Sequence, residues 1–296
     1  MSEQIVNEVT DEITGKKKEK KKKTVGQEIL EWVLTLLVAV IAALAIRSFV
    51  FEPVRVDGHS MDNTLADGEI MFVSKLNYGS VWLDLPWQED AVKEAQPRLS
   101  FFGNPNRFDI VICRYPGRGD TNFVKRVIGL PGDTVEVREG KLYVNGVKYE
   151  EPFISDEYRT RGASDGSTFA PSRVPAKGDV IELKDGVVTL NGEELPAGIR
   201  YFGVFTQNRR VQIYNGQLLV EDENGTVKAI AENTTLTVES DDYLVMGDHR
   251  NNSNDSRSQG AISRDMIVGK VCSVVFPFNA WRNVQAPEEA RVGVAE

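Results

Sequence analysis

The rhythm of apolar and polar positions changes near residue 51. From Ile29 to Phe51 the chain is almost continuously apolar, with charge only at Glu31 and Arg47 near the ends. No polar face returns at a period of 3.6, as a surface helix would need. The uncharged core Trp32–Ile46 falls short of the roughly 20 residues a bilayer requires, but its apolar flanks make up the length. The pattern predicts one transmembrane helix over 29–50, with Trp32, Phe49 and Phe51 suited to the interfacial belts. A buried core helix and a cleaved secretory signal are the competing readings. Ala43-Leu44-Ala45 has the small-x-small form of a cleavage site, yet it lies inside the apolar run and far from the N-terminus.

After residue 52 the apolar residues come in short β-branched or aromatic runs bounded by Gly, Asn, Asp or Pro. Such runs predict strands near 69–74, 108–114, 134–137, 141–144, 180–183, 187–190, 211–214, 217–220, 235–238, 243–246 and 268–276. Asn-Gly pairs at 145–146, 191–192, 215–216 and 224–225 mark hairpin turns, because both residues accept positive φ. Residues 83–100 read as either a short helix or a loop. The fold class is therefore mainly β, with a single N-terminal transmembrane helix before a β-rich ectodomain.

One pattern occurs twice. Gly132-Asp133, a strand, Gly140, a strand and Asn145-Gly146 return at Gly178-Asp179, Gly186 and Asn191-Gly192. Two copies predict two similar hairpins rather than a solenoid. The polar stretch 153–176 reads as the link between them. The expected organisation is a tail (1–28), the transmembrane helix (29–50), a β domain in two parts (51–152 and 236–296) and a smaller β subdomain inserted at 153–235.

Composition narrows the function. Of 296 residues, 41% are hydrophobic, enough for a real core. The net charge of -9 argues against nucleic-acid binding. Two cysteines and two histidines supply neither a disulfide framework nor a multi-ligand metal centre. Cys113 and Cys272 both sit in predicted strands and read as small apolar residues, although an external location would permit a disulfide. The lysine run Lys16–Lys18 and Lys20–Lys23 precedes the apolar helix, with Arg47 alone beyond it. That asymmetry places the N-terminus in the cytoplasm and everything after residue 51 outside.

Three segments carry candidate chemistry. In Gly58-His59-Ser60-Met61-Asp62-Asn63-Thr64-Leu65 a serine lies among turn formers whose backbone N–H groups suit an oxyanion hole. In Phe123-Val124-Lys125-Arg126-Val127 a lysine interrupts an apolar strand. Alternation puts Phe123 and Val127 on its side and turns Val124 and Arg126 away. A buried lysine there would lose its proton more readily and act as a base, whereas a lysine reaching water would be only structural. The run from Gly247 to Arg257 packs Asp248, His249, Arg250, Ser253, Asp255 and Arg257 too densely for a core and reads as a hydrogen-bonded scaffold.

Together these segments resemble the type I signal peptidases, membrane-anchored Ser/Lys serine endopeptidases. Ser60-Met61 with Thr64-Leu65, Phe108-Asp109-Ile110-Val111, Lys125 through Asp133, and Gly247-Asp248 with Arg250 through Arg257 match the family's boxes in order and approximate spacing. The resemblance implies Ser60 as nucleophile, Lys125 as general base and Ser253 orienting the amine. It implies supporting ion pairs among Asp255, Arg257, Asp248 and Arg126. The Ser60 N–H would be one oxyanion donor, and Gly58 stands where some members carry a serine hydroxyl for the second. Met61, Leu65, Phe123 and Val124 would line shallow apolar pockets for an Ala-x-Ala signal. The implied partners are secretory preproteins and the lipid bilayer, at a bacterial plasma membrane, with no metal or cofactor.

Two departures change the expectations. Asn63 replaces a usual proline and should loosen the turn after Ser60, since proline would fix φ. His249 replaces a usual asparagine and admits a Ser60–His249–Asp255 triad. His59 neighbours Ser60 and points away, a poor base. Two further readings stay open: a self-cleaving repressor relative, disfavoured by the anchor, and an anchored non-enzymatic β module for adhesion or wall binding that uses 153–235.

Overall fold

The computed structural model describes residues 24–78, 80–81, 99–100, 103–115, 121–159, 168–206, 209–221, 226–286, 288–291 and 293. The lysine run, most of 83–100, Asn224-Gly225 and part of the 153–176 link lie outside these residues. Two compact units, Met1–Ala45 and Ile46–Glu296, divide the chain.

The apolar run forms a helix, Val25–Phe49, of about 37 Å at 1.5 Å per residue. It starts four residues before the predicted 29 because Thr24 begins it: the Thr24 carbonyl accepts from Gln27 and Glu28, and the Gln27 side chain accepts from the Thr24 N–H at 3.1 Å. Glu28 in the first turn and Arg47 in the last complement the helix dipole. The most apolar 18-residue window of Val25–Arg47 has a mean hydropathy of 2.6 and none of it is buried, unlike a core helix.

The second unit is built from strands. One sheet orders Phe51–Arg55, Ile70–Ser74, Ile267–Phe276, Ile110–Cys113, Phe123–Gly129, Asp242–Met246 and Ile262–Ser263 as neighbours, with Arg282–Asn283 beside Ile267–Phe276. Its paired strands are antiparallel. Both faces are covered. Ile110 and Ile112 enter a core with Met61, Leu65, Met71 and Val271. Val111 and Cys113 enter another with Val127, Tyr243 and Val245. This period of two turns successive residues of one strand into two cores.

A second sheet orders Val227–Ala229, Gln217–Glu221, Arg209–Tyr214, Arg200–Thr206, Phe169–Arg173, Thr134–Arg138, Lys141–Val144 and Val147–Tyr149. The strands of 153–235 thus join the hairpin 134–149 through Phe169–Arg173, which pairs with Thr134–Arg138. A third sheet, Glu193–Glu194, Val187–Leu190, Val180–Lys184 and Thr234–Thr237, packs on the second through Ile181, Leu183, Tyr201, Val211 and Ile213. Ser80–Val81 pairs with Leu99–Ser100, so the end of the 83–100 stretch is strand.

Candidate active site

The sheet core carries the site. Strand Phe123–Gly129 pairs with Ile110–Cys113 on one side and Asp242–Met246 on the other. Its alternation follows the sequence: Phe123 and Val127 pack with Lys125 on one face, while Val124 and Arg126 point to the other. Lys125 is 2% exposed. Its Nζ lies 2.7 Å from Ser60 Oγ and 3.0 Å from the Val124 carbonyl. No carboxylate among the described residues pairs with it. Burial is the chief cause that lowers the Lys125 pKa below the ordinary 10.5. The charges of Asp255 and Asp248 and the Cys113 thiol offset part of that shift, and Arg257 adds to it. In its neutral form an amine at this distance is within hydrogen-bond reach of the Ser60 hydroxyl, the geometry that general-base chemistry requires.

Ser60 is held by its loop. Val56 N–H donates to Glu69 O at 2.8 Å, and Gly68 N–H donates to Val56 O at 3.0 Å, closing the loop at its base. Gly58 takes φ +100, a conformation that favours glycine, and its N–H donates to Asp67 Oδ1 at 2.9 Å. That N–H is therefore committed, and no hydroxyl stands at position 58. Arg282 clamps the loop from outside, donating to Thr64 O and to both Glu69 carboxylate oxygens at 2.6 to 2.7 Å. Met61 and Leu65, each 1% exposed, are core residues beneath the dyad, whereas Phe123 and Val124 are partly exposed beside it. Full burial of a side chain of that size contributes about 2 kcal/mol, so these residues anchor the loop.

Two guanidinium–carboxylate pairs lie beside the dyad residues. Arg126 binds Asp248 through two nitrogens at 2.8 and 2.6 Å, and both are buried. Thr64 Oγ1 donates to the same carboxylate, linking the serine loop to the pair at 2.5 Å. Arg257 binds Asp255 through two nitrogens at 2.8 Å. Burial pushes the Asp255 pKa up, but the Arg257 guanidinium and the Gly247 N–H outweigh it and hold the group below the usual 3.8. Gly247 must be glycine for a packing reason. A Cβ there would sit 2.4 Å from Ser60 O and 2.3 Å from Ser253 Oγ.

Three expectations change. Ser253 lies at the site, but its hydroxyl makes no hydrogen bond to Lys125; its buried Oγ lies toward the Asp255 carboxylate, whose charged form it favours, outside the geometry of a full hydrogen bond. Asn63 does not loosen its turn. It takes φ +81, which proline cannot adopt, and its Nδ2 donates to Phe153 O at 2.6 Å. His249 does not meet the Ser60 hydroxyl. Its ring contacts His59 O at 2.9 Å and Asp62 Oδ2 at 3.2 Å, stacks on Tyr158, and leaves Asp255 to Arg257. His59 lies 3.4 Å from Asp62 and is exposed. Cys113 and Cys272 are both free thiols, and burial pushes Cys113 up to about 12.

Sequence reasoning missed Glu69, Glu151 and Arg282. Each acts through a partner far along the chain, as Arg282 does on Glu69, and no short-range pattern in the sequence marks such residues.

A family profile described as "Signal peptidase, peptidase S26" matches residues 29–177 and 174–276. Signal peptidase I P of Bacillus subtilis subsp. natto is 32% identical over 258 residues, covering 87% of this chain and 94% of that one. Signal peptidase I T of Bacillus subtilis (strain 168) is 32% identical over 263 residues, covering 86% and 90%. Signal peptidase I of Pseudomonas aeruginosa is 30% identical over 262 residues, covering 85% and 74%.

Proposed function

The chain belongs to the signal peptidases of peptidase family S26, serine endopeptidases that remove signal peptides, and from that premise we propose that Ser60 is its nucleophile and Lys125 its general base. The observation that carries this reading is the 2.7 Å contact between a buried amine without an acidic partner and a hydroxyl. The neutral amine takes the Ser60 proton as Oγ attacks the scissile carbonyl. The Ser60 N–H donates to the developing oxyanion. The acyl group remains on Ser60 while the amine passes its proton to the leaving nitrogen. The mature protein departs with that nitrogen as its new N-terminus; water, giving a proton to the same amine, then attacks the acyl ester and releases the signal peptide as a carboxylate, and the amine returns the proton to Ser60 Oγ. Arg126–Asp248 and Arg257–Asp255 position the loops.

The substrate lies as an added strand, recognised through backbone hydrogen bonds. Val124, packed with Met61 and Leu65, and Phe123, on the other face of the strand, help line shallow apolar pockets suited to Ala-x-Ala. The helix Val25–Phe49 anchors the chain in a plasma membrane, with the lysine-rich tail in the cytoplasm and the dyad at the outer surface where a secretory signal emerges.

The test is cleavage of one Ala-x-Ala preprotein by Ser60→Ala and Lys125→Ala chains in detergent. Both should lose cleavage while keeping the wild-type thermal midpoint. Near-normal activity of Lys125→Ala, with loss in His249→Ala, would transfer the role of base to the histidine. Since the reacting form is the neutral amine, kcat/KM should rise with pH through the lowered Lys125 value and fall as acid restores the proton. An acid limb at the same pH in a chain lacking Lys125 would assign it elsewhere.

A further inference from the structure

We propose that residues 151–159 form a positioning strap that holds the three catalytic segments in register, with Tyr158 and Asn63 as its grip on the nucleophile loop. This rests on the reading of Ser60 and Lys125 above. The strap touches each segment through a different group. Toward the nucleophile loop, Phe153 O accepts from Asn63 Nδ2 at 2.6 Å. Toward the Lys125 strand, the Phe153 ring lies 3.7 Å from the Arg126 guanidinium carbon. Toward the loop 247–257, the buried Glu151 carboxylate accepts from two nitrogens of Arg250, whose Nε donates to Gly247 O at 3.0 Å. Asn251 Nδ2 donates to Glu157 O at 3.4 Å.

Tyr158 closes the circuit. Its ring stacks on His249 with centroids 4.0 Å apart. The His249 backbone N–H donates to Ser60 O at 3.1 Å. A carbonyl only accepts, so the contact of His249 Nδ1 with His59 O at 2.9 Å places the ring proton on Nδ1, where it also faces Asp62 Oδ2 at 3.2 Å. The ring fixed by Tyr158 is therefore bonded to the residues on both sides of the nucleophile. The strap is itself laced: Arg159 donates to Gly140 O at 3.1 Å and Ile154 O at 3.3 Å, and to Glu151. A misplacement of about 1 Å at a nucleophile costs on the order of a hundredfold in rate, so a brace at this distance acts on kcat.

The test uses the full chain in detergent with one secretory precursor. Tyr158→Ala should lower kcat by about tenfold with KM nearly unchanged, and Tyr158→Phe, which keeps the ring, should restore it. Asn63→Gly, which keeps the positive φ without strain and removes only the amide, should lower kcat by about threefold with little change in the thermal midpoint. The chain has two histidines, so NMR assigns the His249 ring protons by comparison with His59→Gln. Those signals should be displaced by the Tyr158 ring and return toward free-imidazole positions in Tyr158→Ala. Wild-type kcat in Tyr158→Ala, an effect confined to KM, or equal losses in the Phe and Ala variants would overturn the strap alone. A wild-type chain that cleaves nothing would instead overturn the peptidase assignment of Ser60 and Lys125, and the strap with it.

Discussion

The two copies of the Gly-Asp hairpin fold alike and are tied down differently. In the first, Asp133 accepts from Leu130 N–H at 2.7 Å and Asn145 Nδ2 at 2.8 Å, while Asn145 Oδ1 accepts from Thr134 N–H at 2.8 Å. In the second, Asp179 accepts from Ala176 N–H at 3.0 Å and Asn191 Nδ2 at 2.9 Å, while Asn191 Oδ1 accepts from Val180 N–H at 2.8 Å. The third partner differs. Asp133 meets Arg107, whose other nitrogen donates to Ile128 O on the Lys125 strand at 2.6 Å. Asp179 meets the buried Tyr201 hydroxyl at 2.9 Å, within the core between the second and third sheets. Local sequence thus sets the hairpin, and one long-range donor decides whether the hairpin supports the reaction or only its own sheet.

Breaking the carboxylates should give the largest contrast. Asp133→Ala removes a charged partner from Arg107 and leaves buried donors unmet, a loss of about 3 kcal/mol, with cleavage falling as the Lys125 strand loosens. Asp179→Ala should cost about 2 kcal/mol, with kcat per folded enzyme retained. Denaturant midpoints beside kcat for the two chains check this, and equal loss of kcat would erase the distinction. Exchanging only the third partner sharpens it. Arg107→Met should cost about 2 kcal/mol and lower kcat, while Tyr201→Phe should cost about 1 kcal/mol and leave kcat alone. The smallest contrast between the copies belongs to the turns. Asn145 and Asn191 take φ of 52° and 55°, so replacing either by Ala adds left-handed strain to two lost hydrogen bonds, about 3 kcal/mol in each copy, read as matching shifts in thermal midpoint.

Where the chain's instructions are local, they were legible. The Asn-Gly turns at 145–146, 191–192 and 215–216 take positive φ at both residues, and the alternation around Lys125 places its neighbours as expected. Strand Phe51–Arg55 escaped notice because the apolar anchor runs into it and Pro53 interrupts it. Proline is tolerated there because, among the described residues, the strand is an edge paired on one side with Ile70–Ser74. Strands Phe169–Arg173 and Arg200–Thr206 were hidden by Pro171 and Gly203. Gly203 is forced by contact, since a Cβ would lie 2.3 Å from Ala261 N. At the site, Ser60, Lys125 and the two carboxylate–guanidinium pairs were readable as residue types in order. Glu151 and Phe153 were not, because their importance depends on Arg250 and Arg126, roughly a hundred and under thirty residues away, and no short-range pattern encodes such a meeting. The reading of Asn63 failed for a conformational reason: the turn was assumed to have negative φ.

That last residue restricts how the enzyme can drift. A proline at position 63 would have to abandon a dihedral of +81° and surrender the amide that reaches Phe153, so the replacement is closed as a single step. Any proline engineered at this position must be accompanied by a second alteration that returns the turn to negative φ, so the loop has to be redesigned as a block rather than residue by residue.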